Sequence, residues 1–254
     1  MGTLYVVGTP LGNLEDLSAR ARRVLAGVAL IVAEDTRRTR KLLAHAGIDA
    51  PLASFHAHST PAQRARLVAR LAAADVALVT DAGTPGVSDP GPELVADAVA
   101  AGHAVVPIPG PSAVATALSV SGLPADRYVF IGFLPRRSQD RRACIAEVAA
   151  EPHTVVAFET PQRLAAALAD LAAGLGADRR ACVGRELTKL HEEVWHGTLG
   201  AAAARWASIA PRGEITLVIA GAPPAAAEAW DDQRVAAELA RLRGAGVGAR
   251  EASR

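Results

Sequence analysis

The chain has 254 residues, half of them hydrophobic, with 27 basic and 26 acidic side chains and a formal net charge of +1. That length and apolar content suffice for a real core in one large domain or two smaller ones, while no apolar run nears the roughly 20 residues that span a bilayer. Balanced charge excludes a polycationic nucleic-acid binder, so any basic patch must be local, and Cys144 and Cys182 lack metal-ligand spacing and read as small buried residues.

The N-terminus runs straight into an apolar strand, Leu4 to Gly8, with no basic region or cleavage site of a signal peptide, so a cytoplasmic location is expected. A loop, Gly8-Thr9-Pro10-Leu11-Gly12-Asn13, then leads to a helix from about Ser18. It lacks the G-x-G-x-x-G spacing and no Walker lysine follows, which disfavours a dinucleotide or nucleoside triphosphate. A strand over Val28 to Ala33 ends in Glu34-Asp35, and the helix from Thr36 carries Arg37, Arg38, Arg40 and Lys41. These charges either complement the helix dipole on a solvated face or form a cationic ridge that grips phosphates. His56 and His58 sit at an expected strand end, where alternate spacing points both to one side; no third ligand is nearby, so no metal is expected. A helix follows over Thr60 to Ala74.

Two Gly/Pro-rich loops come next, each after a strand-like run, Val76 to Thr80 and Ala104 to Ile108. In open α/β sheets ligands collect beyond the carboxyl ends of strands, so a pocket is expected there rather than two plain turns. Asp81 to Gly91 holds three glycines and two prolines, and Pro109-Gly110-Pro111 leads to Ser112, a good N-cap for the next helix. The composition suggests an uncharged main-chain cradle. Alternating strands and helices predict a mostly parallel, two-face-covered sheet over residues 1–118, then a linker at 119–124.

Residues 125–222 read as a second α/β domain. Strands are expected at Tyr128 to Phe133, Thr154 to Phe158, Ala181 to Arg185, Glu192 to Thr198 and Glu214 to Ala220, and helices from about Ser138, Pro161 and Gly200. The close pair near Arg185 and Trp195 suggests antiparallel pairing and a mixed sheet. Residues 223–254 read as a Pro/Ala hinge, a short amphipathic helix over Val235 to Leu242 and a Gly-rich end.

The segments LYVVGTPLGNLEDLS, AEDTRRTRKLL, DAGTPGVSDPG, PGPSAVATALSVSGLP, GFLP, FETPQRL, GRELTKLHEE and GEITLVIAG together resemble the tetrapyrrole-methylase-type (class III) S-adenosylmethionine-dependent methyltransferases, over nearly all of Leu4 to Gly221. The Asp81 loop and the AEDTR segment are similar to the branch of that family acting on ribosomal RNA. The resemblance implies two α/β domains with S-adenosylmethionine in the cleft between them and a homodimer. It also implies 2′-O-methylation of a cytidine in the decoding region of 16S rRNA. By motif position the donor would contact Leu11, Gly83, Thr84, Val87, Ser112, Ala113, Phe158, Gly213, Glu214 and Ile215. The rival readings are a methylase acting on a small tetrapyrrole and an RNA-binding or ribosome-assembly module without activity.

A ribose hydroxyl attacks poorly until its proton leaves, and the candidate bases are Glu34, Asp35, His56, Glu159 and Lys189, with the AEDTR pair favoured. RNA contacts are expected from Arg37, Arg38, Arg40, Lys41, Arg136, Arg137, Arg141 and Arg142, whose planar or cationic heads suit phosphate. Two features depart from the family pattern. Ser59-Thr60 stands where an Asn-Glu pair is usual, and the tail, which ends GVGAREASR where the family usually has a longer helical module, reads as truncated or divergent.

Overall fold

A computed structural model of the chain describes residues 1–209, 211–224, 232–246 and 248. Strands β1 (Thr3–Val7), β2 (Leu30–Ala33), β3 (Leu52–Ser54), β4 (Val76–Val79) and β5 (Ala104–Ile108) form a parallel sheet in the order β3-β2-β4-β1-β5. Successive strands are joined by α1 (Ala19–Gly27), α2 (Thr36–Ala46), α3 (Pro61–Leu71) and α4 (Pro92–Ala100). Strand periodicity sorts the core onto two faces. Ile31 and Ala33 pack with Leu25 and Leu43 beneath α1 and α2, whereas Leu30 and Val32 pack with Leu71 and Leu94 beneath α3 and α4. Every residue of β2 and β4 is therefore buried, as a doubly covered parallel sheet demands.

After α5 (Ala113–Ser121) come β6 (Tyr128–Phe133), α6 (Ser138–Glu147), β7 (Thr154–Glu159), α7 (Leu164–Leu175), β8 (Arg180–Arg185), β9 (Glu193–Thr198), α8 (Leu199–Trp206) and β10 (Ile215–Ile219). Their strands order as β6-β7-β10-β8-β9, with β6 and β7 parallel and the remaining pairs antiparallel. The mostly parallel first sheet and mixed second sheet match the expectation. One face of the second sheet packs Val155, Ala157 and Leu217 against Ile145, Leu168 and Trp206 of the helices α6, α7 and α8. On the other face Val156, Cys182 and Val218 meet Val114, Ala117 and Leu118 of α5. Thus α5, most of which the sequence division assigned to the first domain, packs on the second sheet. Residues Met1–Ala222 form one compact unit.

Local signals set most element starts. Ser18, Asp35, Ser112 and Thr198 cap their helices, and Thr60 makes a reciprocal capping box with Gln63. The helix expected from Pro161 opens instead as a 3₁₀ turn, Pro161–Arg163, before α7. The helix expected to reach Ala74 ends at Leu71. In the separate unit Pro223–Arg254, α9 (Asp232–Gly244) is longer at both ends than the amphipathic stretch read from sequence. The expected hinge lies largely outside the described residues, as does most of the Gly-rich end. Among the described residues no helix is long and apolar enough to cross a membrane.

Candidate active site

Three loops leave the carboxyl ends of β1, β4 and β5 and are tied into one framework. Thr9 donates its N–H to the Gly83 carbonyl at 2.8 Å, and Gly83 returns the bond to Thr9 at 3.0 Å. The Thr9 hydroxyl also donates to the Thr80 carbonyl at 3.2 Å, and the Thr84 hydroxyl to the Pro111 carbonyl at 3.4 Å. Gly8 and Gly110 meet backbone to backbone; a Cβ on Gly110 would lie 2.7 Å from the Gly8 carbonyl carbon, so no side chain fits at that crossing. The tandem loops and the N-terminal loop are therefore one rigid wall.

Opposite this wall stand the end of β7 and the start of β10. The Gly213 turn has φ of 94°, and a Cβ there would collide with the Glu186 side chain, whose Oε1 accepts both the Glu214 N–H at 2.9 Å and the Lys189 ammonium at 2.7 Å. Between the walls lies a cavity of about 390 Å³, within the roughly 300–1,000 Å³ range of small-molecule sites. Every donor contact expected from motif position, from Leu11 through Ile215, lines it. Sequence reasoning missed Phe133, which lines the cavity half-exposed with its ring 5.4 Å from Phe158 at 62°.

The cradle is not uncharged, contrary to the expectation from loop composition. Glu34, Asp81, Asp89, Glu159 and Glu214 all line the cavity, which suits a cationic ligand. Three of them have cationic partners: Asp81 with Arg38 at 3.2 Å, Glu214 with Lys189 at 3.2 Å, and Glu159 with Arg163. Glu159 is 1% exposed, and its Oε2 is buried with no hydrogen-bond partner among the described residues. Burial, reinforced by Asp81, raises the Glu34 carboxyl above the usual range. Burial also pushes Asp89 up to about 6, with Glu34, Asp81 and Glu214 adding to the effect.

Of the expected bases, only Glu34 and Glu159 line the cavity. The Asp35 carboxylate caps α2 and takes a bidentate pair from Arg37, a hydrogen bond that holds it well below the usual carboxylate range and leaves little basicity. Burial works to deprotonate Lys189, but the Glu186 and Glu214 carboxylates outweigh it and raise its pKa, so it remains a cation with no capacity to accept a proton. His56 lies beyond β3 in a turn where its N–H donates to Ser59 Oγ and its Nδ1 accepts from His58 N–H. The strand alternation expected for the two histidines is replaced by this turn, in which Ser59 holds the backbone.

Arg37, Arg38, Arg40 and Lys41 are exposed on α2, and Arg136, Arg137 and Arg142 are exposed around the start of α6. Arg141 is the exception and is not available to RNA. It is 5% exposed, and its guanidinium donates twice to Asp170 of α7, at 2.5 and 2.8 Å.

A family model described as tetrapyrrole (corrin/porphyrin) methylases matches residues 3–203. The chain is similar to proteins named ribosomal RNA small subunit methyltransferase I. It is 46% identical to that of Synechocystis sp. over 255 residues, covering 100% of this chain and 91% of the relative. It is 50% identical to that of Pseudomonas aeruginosa over 194 residues, covering 76% and 69% of the two. Among solved structures, uroporphyrin-III-C-methyltransferase from Thermus thermophilus superposes with a TM-score of 0.61 at 22% identity, covering 87% of this chain and 94% of the other. A cobalt precorrin-4 methyltransferase gives 0.65 at 15% identity, covering 86% and 94%. At those identities the likeness is one of fold.

Proposed function

Because this chain belongs to the tetrapyrrole (corrin/porphyrin) methylases, we propose that it methylates small-subunit ribosomal RNA from S-adenosylmethionine, at the ribose 2′-hydroxyl of a cytidine in the decoding region of 16S rRNA. One observation carries the reading: residues from distant segments converge on a single cavity with main-chain walls, aromatic rings and an excess of carboxylates. That chemistry fits a nucleoside bearing a sulfonium. The RNA substrate is drawn from the relatives' name and is supported by the exposed cations of α2 and α6.

The bound donor supplies an activated methyl group for in-line displacement. The chain's task is to hold the ribose oxygen collinear with the methyl carbon and sulfur, which contributes roughly 7 to 11 kcal/mol. The locked wall of Thr9, Gly83 and Pro111 provides the rigidity for that alignment. Phe158 and Ile215 close the opposite side against water, and the carboxylates balance the ligand's positive charge. Arg37, Arg38, Arg40, Lys41, Arg136, Arg137 and Arg142 hold RNA phosphates outside the cavity. The reading extends to a cytoplasmic homodimer, which sedimentation checks.

The test is incubation of the protein with methyl-labelled donor and small ribosomal subunits lacking the modification. Label is expected in 16S rRNA as an alkali-resistant dinucleotide containing cytidine. Base-methylated nucleotides would refute the ribose assignment, and labelling of an added uroporphyrinogen but not of rRNA would move the substrate to a tetrapyrrole.

A further inference from the structure

We propose that Asp89 is the catalytic base that takes the proton from the attacking ribose hydroxyl, an inference that rests on the ribose-methylation reading. The pairing of the cavity's carboxylates separates them by role. Asp81, Glu159 and Glu214 each face a guanidinium or ammonium, and Glu34 lies within the fields of Arg38 and His56. Asp89 lines the same cavity, and among the described residues its carboxylate has no cationic partner. The charged groups that act on it most strongly are Glu34, Asp81 and Glu214, all negative; Arg38 pairs with Asp81, Lys189 with Glu214, and His56 acts on Glu34. The Thr80 hydroxyl, buried on the same side without a hydrogen bond of ordinary geometry, opposes the rise without cancelling it.

Placement supports the role. Asp89 is carried on the loop whose Gly83 and Thr84 are tied to the N-terminal and Pro111 loops, so its carboxylate shares their wall. Across the cavity Glu159 also belongs to the lining, its buried Oε2 without a hydrogen-bond partner among the described residues. A carboxylate poised near neutral pH both exists as the base and holds the proton once taken. In the step, the ribose O–H bond breaks and its proton passes to an Asp89 oxygen, while the oxygen forms a bond to the methyl carbon. The carbon–sulfur bond breaks with its electron pair going to sulfur, which becomes a neutral thioether. Asp89 then returns its proton to water.

The experiment combines single-turnover methylation of small subunits across pH with calorimetry of donor binding and carboxyl ¹³C NMR of ligand-free protein. Wild type should show an acid limb below about 6, because the bound cationic donor favours the ionised carboxylate. At saturating donor, Asp89→Asn should slow the step about 10²- to 10⁴-fold and abolish that limb, beyond any loss of donor affinity. It should also remove one carboxyl resonance that titrates near 6. Glu34→Gln removes a neighbouring negative charge, so the limb and that resonance should both move to lower pH. An Asp89→Asn protein within about fivefold of wild type overturns the assignment, as does one whose slow rate merely follows lost donor binding, or a Glu34→Gln protein that loses the limb while Asp89→Asn keeps it. Should Asp89→Asn unfold, Asp89→Glu decides: a displaced limb with slower transfer supports the base, and an unchanged profile overturns it. A wild type that places no alkali-resistant label in rRNA sinks the ribose reading itself, and is distinct from an active wild type matched by its Asp89 variant.

Discussion

Arg141 and Arg142 are neighbours in sequence with opposite fates. One turn of α6 aims Arg141 at Asp170 on α7, while Arg142 faces solvent. Breaking a buried pair strands the remaining charge, so Arg141→Ala should lower stability by roughly 3 kcal/mol in urea denaturation, whereas Arg142→Ala should change it by about 0.5 kcal/mol or less. Asp89 gives a second prediction at this scale. Its folded-state pKa, near 6, lies above its ordinary value, so the folded protein binds more protons than the unfolded chain between the two. Its charge therefore opposes folding above pH 6, and this cost vanishes as pH falls below the ordinary carboxylate value. Asp89→Asn should accordingly melt higher than wild type at pH 7, with the difference shrinking toward pH 4; an equal or lower melting temperature at pH 7 contradicts the burial argument. A cationic donor favours the ionised carboxylates, so its affinity should fall as pH drops through about 6, with proton release visible as buffer-dependent binding enthalpy.

At the scale of elements, the loops after β1, β4 and β5 act as one body because of contacts that leave no room for side chains. Gly110→Ala forces a Cβ into the Gly8 backbone and must push the Pro109–Ser112 loop off its seat. Donor affinity measured by calorimetry should fall about tenfold or more, equivalent to about 1.4 kcal/mol. The capping box of α3 makes a contrast, since that helix does not line the cavity. Thr60→Ala should cost about 1 kcal/mol of stability and leave donor affinity unchanged. The loops were legible in sequence because glycine and proline punctuate strand ends; their mutual stitching was not, because Thr9 and Gly83 pair across more than seventy residues of intervening chain.

For the molecule as a whole, charge is divided by sign. Carboxylates face the cavity, and the cations of α2 and α6 face outward. Arg40 and Lys41 make no ion pair among the described residues, so their positive charge is available to phosphate. Replacing both by alanine should weaken binding to small subunits and reduce the slope of log affinity against log salt by about two. An unchanged slope would place the RNA elsewhere. A balanced net charge of +1 conceals this separation, because a total carries no geometry.

Sequence by itself determined the two sheets and most element boundaries, because those depend on period, caps and turn chemistry acting within a few residues, while the residues now found lining the cavity were named through the family resemblance. It left the candidate bases unseparated. Asp35 and Lys189 carry the right functional groups, but Arg37 and the Glu186–Glu214 pair commit them to other bonds, and Asp89 stood unremarked within a loop read for its glycines. Which carboxylate keeps a cation, which is desolvated and which arginine is buried are decided only when β7, β10 and α7 arrive beside segments far away in the chain. Proton affinity depends on the summed field and hydration at a point in space, and only the tertiary structure fixes that point.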